Sequence, residues 1–282
     1  MHKIREFFKN TIFYKPLKYF YNLGRILINF RNWLKYRNNI FLVYTMGRVG
    51  SQTTQNTLQQ KLAPIPVFLV HFLSDNWLLD ILPKNGSVDA PSIKKGTAIR
   101  DYISKKSSKR KKIITLVREP VTWQISFMFH NWQLFFKGKS VEDITEEDIY
   151  NHLNNSSYEY MMTWFNSEFK LFTGIDIYQY PFDKEKGYII FSTKEYDVLC
   201  MKMEKVNDCF REAYEAFTGL KIERLIKGNI TREKDTFKSL HHELVKDYKI
   251  SKSKAEELYS SKYVRHFYTE AEIAEFLKKR RA

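Results

Sequence analysis

Two short segments carry residue types suited to holding phosphate. The first, Thr45-Met46-Gly47-Arg48-Val49-Gly50-Ser51-Gln52-Thr53, joins the apolar run Ile40–Tyr44 to a segment with helical patterning. Glycines let a backbone turn tightly, so that successive N–H groups converge on an anion. A helix N-terminus adds partial positive charge. Arg48 supplies a full charge, and Ser51 and Thr53 supply hydroxyls. Gly47, Arg48, Val49, Gly50, Ser51, Gln52 and Thr53 together read as a phosphate cradle. A Walker A loop would end in Gly-Lys-Ser/Thr, with lysine on the β/γ-phosphates and a hydroxyl on magnesium, and that ending is missing. The plain alternative is a Gly-rich strand–helix turn.

In the second segment Arg118 leaves the apolar run Ile113–Val117, Glu119-Pro120 follows, and Ser126 comes eight residues after the arginine, two turns into a helical pattern. A guanidinium fork and a hydroxyl at that spacing can grip one phosphate. The alternative for Arg118 is an ion pair at the strand end with Glu119 or another acid.

Strand, Arg-x-Pro, helix, then Ser eight residues after Arg resembles the 3′-phosphate motif of sulfotransferases that use 3′-phosphoadenosine-5′-phosphosulfate (PAPS). The loop at 45–53 is similar to the 5′-phosphosulfate loop of the same family. The likeness continues more weakly from Tyr188 to Phe217 and in Ser261–Tyr268, which looks like the ending of bacterial capsular-polysaccharide-type members. It spans roughly residues 40–270. One departure is Arg48, where the family often has lysine. Arginine keeps the charge and adds a fork, but does not deprotonate.

The resemblance implies a three-layer α/β sandwich with a mostly parallel sheet, related to P-loop kinases. It implies in-line transfer of a sulfuryl group from PAPS to a hydroxyl of a glycan or glycolipid, leaving adenosine 3′,5′-bisphosphate and using no metal. A general base takes the acceptor proton. His71, at the end of Pro66–Val70, is the preferred base, with His130 second and Glu119 third. Lys227-Gly228-Asn229 resembles the family's late nucleotide-covering loop, with Arg232 beside it, and Trp123, Trp164 and Tyr196 are the aromatic candidates for adenine. The implied acceptor is a bacterial surface glycan or a lipid-linked sugar. A small alcohol or a protein tyrosine stays open.

These residues need a scaffold that brings strand ends together. Apolar runs at 40–44, 66–72, 113–117, 188–191 and 197–203 alternate with helical patterns at 51–61, 91–106, 120–136, 145 onward, 156–173 and 207–218. Such alternation predicts a mostly parallel sheet covered on both faces, with ligands beyond the carboxyl ends of its strands. Ser51 is the expected N-cap of the first of these helices. Thr145 with Asp148 forms a capping box, and Gly174 and Gly219 are stop signals.

Charge is concentrated. The net charge is +15 over 282 residues, of which residues 1–39 hold nine Lys/Arg against Glu6 alone. Lys105–Lys112 adds six cations, so the remainder is almost neutral. This argues against a general nucleic-acid surface. Phe20, Leu23, Leu27, Phe30 and Leu34 recur at helical spacing among these cations. Residues 1–39 therefore read as a basic amphipathic segment ahead of a 40–282 α/β domain. It would lie on an anionic membrane surface, pack on the domain, or form a seam with a partner helix. Two cysteines offer neither a disulfide framework nor a metal-binding spacing. The expected setting is cytoplasmic, peripheral on the inner face of the membrane. The rival activities are a P-loop kinase-like phosphotransferase, a glycosyltransferase (for which an Asp-x-Asp-like metal site is missing), and a non-catalytic membrane-attached nucleotide-binding protein.

Overall fold

The computed structural model describes residues 14–81, 90–228 and 235–282. In chain order the described elements are α1 (Tyr14–Tyr36), β1 (Asn39–Tyr44), α2 (Ser51–Leu62), β2 (Val67–Val70), α3 (Ala90–Lys105), β3 (Arg110–Val117), α4 (Pro120–His130), α5 (Glu146–Asn155) and α6 (Glu159–Trp164). Then come β4 (Tyr188–Ser192), β5 (Tyr196–Lys202), α7 (Val206–Thr218), α8 (Asp235–Asp247), α9 (Lys252–Ser260), α10 (Lys262–Phe267) and α11 (Glu270–Arg280).

The strands form one sheet in the order β2-β1-β3-β5-β4, flanked by helices. β1 pairs in parallel with β2 and β3, and β3 with β5; β4 alone runs antiparallel, on β5. Phe41–Tyr44, Ile113–Val117 and Val198–Met201 are almost wholly buried. Strands covered on both faces need such continuous apolar runs. Parallel pairing brings the segments after β1, β2, β3 and β5 to one end of the sheet. Both expected phosphate segments stand there, on the neighbouring strands β1 and β3.

Most local signals act as expected. Thr145 and Asp148 make a reciprocal capping box on α5. Gly219 ends α7 in the left-handed region at φ 69°, where a side chain would be strained. Three readings need correction. The N-cap of α2 is Gly50 rather than Ser51, which is already the first helical residue. The helix after Arg118 stops at His130, where Asn131 caps it, and a short turn at Trp132–Phe135 follows. The 156–173 pattern starts at Glu159 and is interrupted by a wider turn at Phe165–Phe169.

That wider turn holds Glu168, fully buried. Its carboxylate accepts from the Tyr44 hydroxyl, from Leu73 N–H at 2.5 Å, from Ser74 N–H at 3.0 Å and from Ser74 Oγ at 2.5 Å. One acid thus ties the wider turn after α6 to the end of β1 and to the turn after β2. Gly96 in α3 approaches the same turn, and a methyl there would lie 2.5 Å from the Phe72 carbonyl oxygen.

The helices after residue 235 pack against the end of the sheet where β3 and β5 finish. Tyr259 donates to Glu119 at 2.6 Å and Tyr268 to Glu204 at 3.1 Å. Tyr263 accepts from Arg118 N–H at 3.0 Å. Buried Lys202, at the end of β5, pairs with Glu272 of α11 at 2.7 Å. Buried Arg280 donates to the Tyr248 and Val245 carbonyls at the end of α8 and lies 3.7 Å from Glu119.

Candidate anion-binding site

The turn after β1 is built from two left-handed residues, Arg48 at φ 66° and Gly50 at φ 79°. For a non-glycine residue that conformation costs about 1–2 kcal/mol. Neighbours hold it in place. Trp123 Nε1 donates to the Gly47 carbonyl at 2.8 Å, and the Tyr160 hydroxyl bonds the Gly47 backbone. Arg118 Nη1 donates to the Arg48 carbonyl at 2.9 Å, and Arg48 Nε donates to Ser126 Oγ at 3.2 Å. Residues from two segments 70 positions apart therefore meet: the guanidinium groups of Arg48 and Arg118, the Ser126 hydroxyl and the start of α2.

Glu119 does not pair with Arg118 as the sequence allowed. It is the N-cap of α4, accepting from Val121 N–H at 2.9 Å and Thr122 N–H at 2.8 Å while Tyr259 and Arg280 hold it from the other side. Its lone pairs are committed to structure, which removes it as a base. Nearby, Glu204 accepts from Glu119 N–H at 2.7 Å.

His71 stands directly after β2, beside the turn. Its Nδ1 lies 2.7 Å from the Thr45 carbonyl oxygen. A carbonyl only accepts, so Nδ1 carries the proton and Nε2 keeps its lone pair. A methyl at Gly47 would sit 3.9 Å from that Nε2. Burial pulls the His71 pKa below its ordinary value; the Thr45 bond works against this, and Lys95 and His130 add to the fall. The ring is thus neutral at neutral pH, with Nε2 free of a proton. His130, the last residue of α4, is also held below its ordinary value, by burial and then by Arg48.

The remaining expected residues take different places. Val49 is wholly buried, and Ser51 nearly so. Gln52 turns its amide along α2, donating to Gln55 and Asn56 at 3.0 and 2.9 Å. Thr53 accepts from Gly228 N–H at 3.0 Å, and Thr57, one turn on, accepts from Ile226 N–H at 2.8 Å. The Lys227-Gly228 loop is therefore strapped along the first turns of α2. Asn229 and Arg232 lie outside the described residues.

Beside the turn is a cavity of about 480 Å³ whose lining includes Val49, Thr53, Met203, Phe210, Leu225 and Lys227. Its apolar walls suit a flat heterocycle, and it opens next to Gly50. None of the three aromatic candidates lines it. Trp123 and Trp164 are buried, the latter donating to the His71 carbonyl at 3.3 Å. Tyr196 begins β5, at the opposite end of the sheet. Met203 and Phe210, which do line the cavity, carry no mark of this in the sequence, where their spacing matches a helical core face.

His241 of α8 also went unnoticed. Its ring meets Phe129 edge-on at 5.2 Å, and its pKa is pulled down to about 4 by burial, then by Arg118, Arg48 and His242. Among the described residues no group of three or more His, Cys, Asp or Glu is placed to hold a metal.

Residues 142–269 match the protein family described as "Putative capsular polysaccharide synthesis protein". The matched segment runs from just before α5 through α10, somewhat under half of the chain, and supports a place among capsule-related proteins. It includes Glu168, Lys202, Glu204 and the Tyr259, Tyr263 and Tyr268 clasp, but neither phosphate segment. No curated protein and no solved structure matches the chain.

Proposed function

We propose that this protein is a sulfotransferase with a P-loop-kinase-like fold that moves a sulfuryl group from PAPS to a hydroxyl of a capsular or related glycan. The observation that carries this reading is the contact of Arg48 with Ser126, and of Arg118 with the Arg48 carbonyl, at one end of the sheet. Two cationic grips on adjacent strands suit a ligand with two separate phosphates. The apolar cavity beside Gly50 gives room for the base that joins them. The capsule-related match supports a glycan as acceptor.

PAPS supplies an activated sulfuryl group on a good leaving phosphate. The chain's own residues would do the rest. The turn N–H groups, Arg48 and the start of α2 face the 5′ end, and Arg48 stabilises charge that grows on the leaving oxygen. Arg118 and Ser126 hold the 3′-phosphate. Thr53 and the strapped Lys227-Gly228 loop cover the nucleotide. His71 Nε2 accepts the acceptor proton, its tautomer set by Thr45.

Isothermal titration tests the donor. Adenosine 3′,5′-bisphosphate should bind without added metal, and Arg118→Ala should weaken it by about 1.5–3 kcal/mol, the worth of hydrogen bonds to a charged group. Adenosine 5′-phosphate should lose much less. A preference for ATP with magnesium would overturn the proposal in favour of a kinase-like phosphotransferase. Tight binding without any turnover on glycan acceptors would favour a non-catalytic nucleotide-binding protein.

A further inference from the structure

The end of the sheet opposite the phosphate segments gathers cations and exposed apolar side chains from distant parts of the chain. α1 holds no acidic residue. It exposes Ile26 (62%), Leu27 (61%), Phe30 (58%) and Leu34 (49%), with Arg25, Arg31 and Lys35 between them. Its last turns are anchored: Asn32 donates to the Lys61 and Ala63 carbonyls at the end of α2, and buried Tyr36 donates to the Thr218 carbonyl at the end of α7. At this foot lies a groove of about 930 Å³ lined by Arg25, Arg31, Lys61 and Lys221, with no acid in its lining.

The basic run 105–112 comes to the same end, because Arg110 N–H donates to the Asn38 carbonyl, two residues beyond α1. Half of its charge is structural. Lys111 bonds the Ser107 carbonyl and Glu195, while Arg110 and Lys112 share Asp197. Lys105, the last residue of α3, and Lys106, in the turn that follows, are exposed.

We infer that this end of the molecule is a docking face for an anionic lipid bilayer, formed by the outward stripe of α1 with the cations beside it and by exposed Lys105 and Lys106, so that the bound protein turns its phosphate segments toward the aqueous phase. Charge decides the occupant. Leu23, Leu27, Phe30 and Leu34 have the spacing of a coiled-coil seam, but such seams are flanked by charges of both signs. Two copies of α1 would set cation against cation, whereas anionic headgroups complement the cations beside the stripe, and the apolar stripe enters the headgroup–acyl boundary. The orientation follows from the parallel strands: their amino ends meet the bilayer and their carboxyl ends face away. Taking those carboxyl ends as the donor site rests on the function proposed above. An acceptor then reaches the site from the aqueous side, as an extended glycan rather than a sugar held at the lipid surface.

The test uses the full chain and phosphatidylcholine vesicles with and without phosphatidylglycerol, read by co-sedimentation. Binding should require the anionic lipid and fall with added salt. Lys105→Gln with Lys106→Gln should lower it about thirtyfold, as expected for two cations near such a surface, and Leu27→Gln with Phe30→Gln should lower it further. Both pairs should leave adenosine 3′,5′-bisphosphate binding unchanged. Cys200 and Cys209 are buried, so an environment-sensitive dye can be placed on Ser107→Cys or on Glu185→Cys, at opposite ends of the sheet. Vesicles should blue-shift the dye at 107 and not at 185. Equal binding to neutral vesicles, an unaffected lysine pair, or a shift at 185 would overturn the inference. So would a dimer in solution that Leu27→Gln with Phe30→Gln abolishes. A chain that binds vesicles in this way but binds no adenosine bisphosphate would overturn the donor reading and leave the docking face standing.

Discussion

His71 can be separated from its rivals by what each side chain is already bonded to. Its Nδ1 is committed to Thr45, so its chemistry lies at Nε2. His71→Ala should cut turnover about 10²–10⁴-fold, the usual contribution of a general base, with nucleotide affinity retained. His130→Ala should cost far less, and the reverse ranking in steady-state assays would transfer the role. His241 gives a second, pH-based expectation. Its folded pKa of about 4 lies below its unfolded value of 6.5, so the unfolded chain takes up the proton first as pH falls. Stability from neutral His241 is therefore complete above 6.5 and is lost between 6.5 and 4, by up to about 3 kcal/mol. Urea midpoints measured across that window should fall with pH, and His241→Asn should flatten the slope. Phosphates bound between Arg48 and Arg118 should raise the His241 pKa, which NMR titration would register. Arg48, Arg118 and Ser126 could be singled out as candidates in the sequence because two motifs, each following an apolar run, carry them together, although Arg118 alone would equally suit an ion pair at a strand end. His241 could not, since a histidine in an amphipathic helix carries no mark of the two arginines that face it.

At the scale of elements, local patterning located the five described strands; for the central ones the reason is burial on both faces, which leaves runs such as Ile113–Val117 with no polar alternation, whereas the half-buried edge strand β4 shows as a short apolar run. Helix ends that depend on neighbours were less visible. Glu119 reads as an acid next to an arginine, yet its role as the N-cap of α4 is fixed by Tyr259 and Arg280, about 140 and 160 residues away. The clasp of α9, α10 and α11 over the carboxyl ends of β3 and β5 is likewise a product of tertiary contacts. One contact between elements sets the geometry of His71 and can be tested directly. Gly96→Ala would place a methyl 2.5 Å from the Phe72 carbonyl oxygen and 2.9 Å from Leu78, too close to be accommodated without moving α3 or the turn. The substitution should destabilise the protein by about 1–3 kcal/mol, the usual cost of overpacking, and lower turnover by displacing His71. Thermal unfolding should show the loss. An unchanged melting temperature with full activity would mean that α3 can slide freely on β2, and the turn would then not be rigidly held.

At the scale of the whole molecule, the proposed donor site and the proposed docking face lie at opposite ends of the sheet, and α1 belongs to only one of them. Its exposed stripe lies mainly before Leu34, whereas its structural contacts come from Asn32 and Tyr36. Anchoring and folding should therefore separate along the helix, and not at the boundary near residue 39 that composition marks. A chain beginning at Ile28 keeps Asn32 and Tyr36, and should match the full chain in its urea midpoint while losing most binding to anionic vesicles. A chain beginning at Asn39 also loses the buried Tyr36 ring, worth about 1.5–3 kcal/mol. It further loses the hydrogen bonds of Asn32 and Tyr36, worth about 0.5–1.5 kcal/mol each. Because Tyr36 packs edge-on against Phe41 of β1 at 5.8 Å, that cost should appear in the global transition and not as local fraying. The expected order of midpoints is full chain equal to 28–282, with 39–282 lower by about 3 kcal/mol, the sum discounted for water reaching the freed carbonyls. Equal midpoints for all three chains would show that α1 merely rests on the domain, and an unstable 28–282 chain would show that the exposed stripe takes part in folding.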